Sequence, residues 1–490
     1  MNARISMVGA ALLISSSSFA ADTLSAAFSE GKFTGGVRAI YSQTENDTIS
    51  DRHTTAAGFR FSYETAPLYG VQAKATMFSV SGLGLNSNNP DHVDSIYFEN
   101  DESKLTRDGF GRVNTVYGTG DDGYAVLGEA YLKAAFGKTF VQVGRMMIDA
   151  PMASSHDIYI VPNTFEAAQI VNVDIPNTTL ILSHATKISG PDMVNSNSFA
   201  GSSNNVKASD FVSISRGSAF QGLADGDGDL TTEKDNAGAT VVGAIYTGVE
   251  GLALQGWFYR VWDVMDMPHL QADYSTKIGE AQLFAGVQYL TQKAIGGTKD
   301  TLAHPVVGSP LLALGINNIT AYHSEAKLGG SYKGTTVTLA YANTKGIHDN
   351  AARGGIVSPV GGNASWVRTR YQSAHFGFTD TSSYTGGTNS YAIGAEYDFG
   401  FAGINGLKGE VKYLNFSRDN QYSASPGLLH YKLNAYEDTN AVEASLDYKT
   451  LFGMKGLDGG VTFLSVNNND ASGNNSTDHN DLRVAVNLAF

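Results

Sequence analysis

The chain of 490 residues contains no cysteine, only 11 prolines and 3 tryptophans, and only 16% charged residues. Without cysteine there is no disulfide framework, so an exported chain of this length must take its stability from elsewhere. No apolar run reaches the roughly 18–20 residues of a membrane-spanning helix. The balance is acidic, 33 basic against 47 acidic residues for a formal charge of −14, which argues against a nucleic-acid partner. Zinc-protease, nucleophile-elbow and phosphate-loop patterns are missing. Ser154, His156 and Asp157 stand side by side in "SSHD", but a catalytic triad needs spatial rather than sequential adjacency. The chain reads as a non-enzyme with no cofactor.

What is present is glycine (55), tyrosine (24) and phenylalanine (24), spread through segments of alternating polarity. The first 20 residues, "MNARISMVGAALLISSSSFA", carry Arg4, an apolar stretch Met7–Ile14 and a small-residue pattern at Ser18-Phe19-Ala20. They read as a secretory signal peptide, leaving 21–490 as the exported protein. The closing "DLRVAVNLAF" sets Leu482, Val484, Val486, Leu488 and Phe490 on one face and Arg483 and Asn487 on the other, the period-2 signature of a strand. Equivalent stretches recur from Phe33–Tyr41 to Val461–Val466 and predict about eighteen strands near the length a tilted membrane strand needs.

Connections alternate in length. Tight turns at Gly137–Lys138, Pro176–Asn177, Ile278–Glu280 and Lys333–Thr335 are separated by long joins such as Ser79–Tyr124, Ser189–Asn236, Asn343–Ser390 and Asn415–Asn440. This asymmetry predicts an all-β, transmembrane antiparallel β-barrel, with short turns in the periplasm and long loops outside. No plug-like segment precedes the first strand, which disfavours an energy-coupled receptor.

The alternation places almost all charge on one face, among it Arg38, Arg60, Lys74, Glu129, Glu325, Lys412, Glu443 and Arg483. Lysine or arginine on the lipid face costs roughly 2–4 kcal/mol at mid-depth. Charges facing water need no partner, so a water-filled channel follows; pairing with neighbours along the wall is the plainer reading for any single residue. A channel of this width leaks unless something narrows it. The segment 146–166, "MMIDAPMASSHDIYIVPNTFE", breaks the strand period and is too apolar for an exterior loop. Folded inward as a constriction loop, it would set Asp149, His156, Asp157 and Tyr159 against Arg38, Arg60, Lys74, Lys412 and Arg483.

"VGRMMIDAPMASSHDIYIVPNTFEA" resembles the Gly-Arg…Pro…Ser-x-x-x…Pro-x-Thr-Phe segment of OprD-family porins, and "LSAAFSEGKFTGGVRAIY" is similar to the first strand of Opr-type porins from Campylobacter relatives. The resemblance implies eighteen strands, an inward third loop, and passive diffusion of small polar, often carboxylate-bearing, solutes along a row of arginines. Where the family pattern often has an Arg before the apolar pair preceding Pro-x-Thr-Phe, this chain has Tyr159, which leaves the solute open. The terminal Phe490 implies recognition by the barrel-assembly machinery. Related porins are trimers or monomers, so a homotrimer is one expectation. The expected location is the outer membrane of a Gram-negative bacterium, among lipid and lipopolysaccharide.

The long external loop 189–238 contains "DGDGDLTTEKDNAG", where Asp225, Asp227 and Asp229 keep the 1, 3, 5 spacing of a calcium loop. Leu230 and Asn236 stand where that loop needs Gly and Glu, so a solvated acidic loop competes with a structural Ca²⁺ site. Two rival classes remain: a surface-exposed structural or adhesive barrel, and a barrel phospholipase, for which no lipid-facing His–Ser pair is found.

Overall fold

The computed structural model describes residues 21–46, 52–82, 123–155, 158–190, 209–214, 237–297, 320–346, 355–356, 362–371, 383–418, 436–470 and 478–490. Eighteen antiparallel wall strands follow in chain order: β1 Lys32–Asn46, β2 Arg52–Glu64, β3 Val71–Val80, β4 Tyr124–Phe136, β5 Thr139–Met146, β6 Thr164–Asn172, β7 Thr178–Ser189, β8 Ala239–Val249, β9 Leu252–Val261, β10 Met265–Ile278, β11 Ala281–Ala294, β12 Ala321–Tyr332, β13 Thr335–Gly346, β14 Thr388–Asp398, β15 Leu407–Arg418, β16 Tyr436–Tyr448, β17 Leu457–Asp470 and β18 His479–Ala489. Each pairs with its sequence neighbours, and β18 returns to β1 in the register Gly36↔Ala489 to Asn46↔His479. The sheet is therefore closed, which satisfies every strand edge without water.

Side chains divide as the alternation predicts. Phe33, Val37, Phe59, Leu132, Val143, Leu270, Val287, Leu328, Val411 and Leu446 point outward and are exposed, as a lipid-facing band must be. Tight turns use left-handed backbone, with Asn177 at φ 58° and Lys333 at φ 44°. At the same end the helix α1 (Leu24–Ser29), capped by the Thr23 hydroxyl, lays Ala27 against Ala66.

Several strands start before their alternating stretches; β6 begins at Thr164 and β10 at Met265, five residues ahead of the stretches Gln169–Ile175 and Leu270–Lys277. There Phe165, Met265 and Met267 point inward yet are buried in an apolar cluster. A loop covers that part of the inner wall, so its inner face is dry and the polar half of the alternation disappears. The join from Val261 to Met265 is also short, although it lies on the long-loop side.

Candidate functional site

The chain leaves the wall after Met146, and residues 147–155 and 158–163 run across the inner face before β6 begins. Gly144 prepares the departure at φ 130°, where a Cβ would lie 2.3 Å from the Ala130 carbonyl oxygen. The first limb is a two-residue ladder, Asp149–Ala150 against Ala153–Ser154, closed by Ser155 N–H donating to the Ile148 carbonyl at 2.7 Å and Ile148 N–H donating to the Ser155 hydroxyl at 2.9 Å. Its apolar side chains Ile148 and Met152 pack with Tyr259, Met265 and Leu290 on the wall. Met152 N–H donates to the Tyr259 hydroxyl at 3.2 Å. The second limb sets Tyr159, Ile160 and Val161 against Ile40, Ala56, Phe78 and Val126.

A second inward segment, residues 362–371 from the join between β13 and β14, covers the other side of the wall. Its burial alternates: Ser365, Val367 and Thr369 are buried, while Trp366, Arg368 and Arg370 are half-exposed. Two buried wall carboxylates fasten it. Glu325 Oε1 accepts from Ser365 Oγ at 3.0 Å and from the backbone N–H of Trp366 and Val367 at 2.7 Å each, while Oε2 accepts from Gln288. Glu443 accepts the Arg370 backbone N–H at 2.5 Å and meets Lys412 Nζ at 3.2 Å. The two segments touch: a Cβ on Gly362 would lie 2.2 Å from the Met152 carbonyl carbon, and the Tyr384 hydroxyl reaches Met152 Sδ at 3.4 Å. Burial pushes the Tyr384 phenol above its usual pKa.

The residues singled out from the sequence separate into groups. Arg38 donates to Asn487 Oδ1 at 2.7 Å and to the Tyr159 carbonyl, and Arg483 donates to the Ile158 carbonyl. These two arginines tie the loop to the wall instead of facing it across a gap. The Arg483 guanidinium also lies 3.9 Å from the centre of the Tyr371 ring. Tyr159, expected to line the lumen, has its side chain against the wall at 5% exposure. Lys74 pairs with Glu129 at 2.8 Å, and Lys412 with Glu443 and Glu410 at 3.2 and 3.4 Å. Asp149 is exposed. His156, Asp157, Asp225, Asp227 and Asp229 lie outside the described residues; among those described, no acidic or histidine cluster suits a metal.

Arg60 differs from the rest. Its side chain is exposed beside Gly36 on the inner wall, and it has no hydrogen-bond or ion-pair partner among the described residues. Arg368, also without one there, sits in the field of Tyr384, Glu325 and Glu443. The sequence reading missed Arg368 and the whole 362–371 segment, although "SWVRTRY" carries its own period-2 pattern inside a long loop.

The model of the outer membrane porin, OprD family, matches residues 31–490. The chain belongs to the OprD family of outer-membrane porins. Solved OprD-type barrels share its fold. Pseudomonas aeruginosa OccK8 (OprE) is 17% identical with a TM-score of 0.65, covering 94% of this chain and 98% of its own. P. aeruginosa OpdK, solved with vanillate, is 16% identical at TM-score 0.65, over 94% and 99%. Acinetobacter baumannii OccAB3 is 17% identical at 0.64, over 94% and 99%. No curated protein sequence matches the chain significantly. As an OprD-family porin it resides in the Gram-negative outer membrane and passes small hydrophilic solutes and ions by passive diffusion.

Proposed function

We propose that segments 147–163 and 362–371 together frame the narrow part of the channel, and that it favours small anionic solutes, carboxylates above all. The observation carrying this reading is Arg60. Lys74, Lys133, Lys327 and Lys412 on the inner wall each sit within an ion pair, whereas the exposed Arg60 guanidinium has no partner among the described residues and is open to a passing anion. A fixed cation in a constricted, low-dielectric passage raises the local anion concentration. Arg368 on the inward segment would extend the same field. That OpdK has been solved with vanillate, an aromatic carboxylate, agrees with this solute class. Transport is diffusive, with no catalytic or energy-coupled step.

Planar-bilayer recording tests the reading. Stable ohmic steps are expected, with a reversal potential on the anion side under a KCl gradient, and Arg60→Gln moves that potential toward cations without closing the pore. A reversal potential unmoved by Arg60→Gln sinks the selectivity argument. A correctly inserted but silent protein sinks the channel and favours the structural or adhesive barrel.

A further inference from the structure

The outer face of the wall carries a feature the channel does not use. Lipid-facing positions hold almost no charge, yet five successive rising strands end in an outward cation. Arg145 lies one residue before the end of β5, Lys187 two before the end of β7, and Arg260, Lys293 and Lys345 one before the ends of β9, β11 and β13. Each shares its face with exposed apolar residues below: Val143, Leu182, Phe258, Tyr289 and Tyr341 in turn. Among the described residues the other rising strands hold neutral or acidic groups at this height: Gln43 and Glu45 on β1, Ser79 on β3, Ser417 on β15, Asn467 and Asn469 on β17. The cations thus form an arc on one side of the barrel, at the extracellular ends of these five strands.

Lipid-face charge is cheap at this depth, about 0–1 kcal/mol, so cost explains its absence lower down but not its placement here. Two carboxylates share the arc. Glu166 meets Arg145 at 3.0 Å and Lys187 at 3.1 Å. Asp266 holds Arg260 by two bonds of 2.7 and 2.8 Å. Lys293 lies opposite Asp266 and Lys345 opposite Tyr322 in the strand register; both lysines are exposed, and neither has a hydrogen-bond or ion-pair partner among the described residues. Arg260 is also oriented by aromatic faces, 5.7 Å from Phe258 and 5.3 Å from Trp262, and tryptophan is enriched at the membrane interface. Alternate strands stand about 10 Å apart, so the arc presents headgroup-scale spacing of positive charge just above the hydrocarbon.

We propose that this arc binds the phosphate groups of the outer-leaflet glycolipid, the lipid A part of lipopolysaccharide, with Lys293 and Lys345 as the phosphate ligands and Arg260 as a pre-oriented guanidinium between wall and headgroup. The acyl chains would lie on the apolar band below. The inference is independent of solute selectivity and needs only the barrel and its orientation.

The test uses the full-length protein purified in detergent and native mass spectrometry to measure bound bisphosphorylated lipid A. Cations near an anionic surface contribute about 1 kcal/mol each, so Lys345→Gln should weaken binding about fivefold and Lys293→Gln/Lys345→Gln about 25-fold. Single-channel conductance should stay as in the wild type, which shows the barrel intact. Dephosphorylated lipid A should bind weakly and equally to both proteins, and inorganic phosphate at matching concentration should not compete. Retention within twofold in the double variant overturns the proposal. So does equal binding of the dephosphorylated lipid by the wild type. Competition by inorganic phosphate would assign the arc to free anions instead and overturn the lipid assignment.

Discussion

A carboxylate 4% exposed inside a barrel wall must be met by donors, and Glu325 collects four from Ser365, Trp366, Val367 and Gln288, with the His323 ring nitrogen at 3.4 Å. Three of the four come from the inward segment 362–371, so one wall residue fixes a stretch of loop backbone that belongs to no strand. Hydrogen bonds to charged groups contribute about 1.5–3 kcal/mol. In Glu325→Gln the amide keeps one acceptor oxygen but turns an N–H toward the Gln288 amide. The expected outcome is a barrel of unchanged secondary structure, a lower thermal midpoint, and noisier, larger single-channel steps as the segment loosens. Steps identical to the wild type would mean that Glu325 does not hold the segment in place. Glu443 should behave similarly but more weakly, since it accepts a single loop N–H and has Lys412 as a counter-charge.

At the scale of elements, the two inward segments cover complementary parts of the wall and meet at Gly362 and Met152. The contact is backbone against backbone, so a side chain there cannot be accommodated by a rotamer change. Gly362→Val therefore pushes the segments apart, and its expected result is raised conductance with intact β-sheet circular dichroism; deletion of 148–154 should raise conductance further. Unchanged conductance in both would show that the narrow point lies elsewhere. The wall itself was legible in the sequence because period-2 alternation is the direct imprint of lipid on one side and water on the other. Where a loop makes the inner side dry, as at Phe165, Met265 and Met267, the imprint vanishes and strand starts were read about five residues late. Loop 146–166 announced itself by its apolar content, whereas 362–371 looked like an ordinary loop because its fastening depends on Glu325 and Glu443, distant in sequence. Facing charges such as Lys74 and Lys412 were legible as inward, but their neutralisation by Glu129 and Glu443 depends on strand register, which sequence does not give.

For the molecule as a whole, closure is the condition of stability, because an open edge in hydrocarbon leaves each backbone group unsatisfied. The seam between β1 and β18 is sealed at its periplasmic end by Phe490, whose N–H donates to the Gly35 carbonyl at 3.0 Å while its own carbonyl accepts from Gly35 N–H at 2.8 Å. The Phe490 ring lies over Gly35, where a Cβ would come within 2.4 Å of it, and is 70% exposed. Phe490 completes the seam and remains accessible, so its part in closure can be tested apart from the recognition by the assembly machinery that the family resemblance leads one to expect. The two roles are separable. Gly35→Leu displaces the ring but leaves the terminal residue present, whereas deleting Phe490 removes both. If recognition dominates, the deletion lowers the folded, heat-modifiable fraction in the outer membrane about tenfold, while Gly35→Leu assembles normally and loses only about 1–2 kcal/mol of stability, the scale of overpacking a tight site. Equal loss of assembly in both variants would assign the effect to seam geometry, because what they share is the absence of the ring from its place over Gly35.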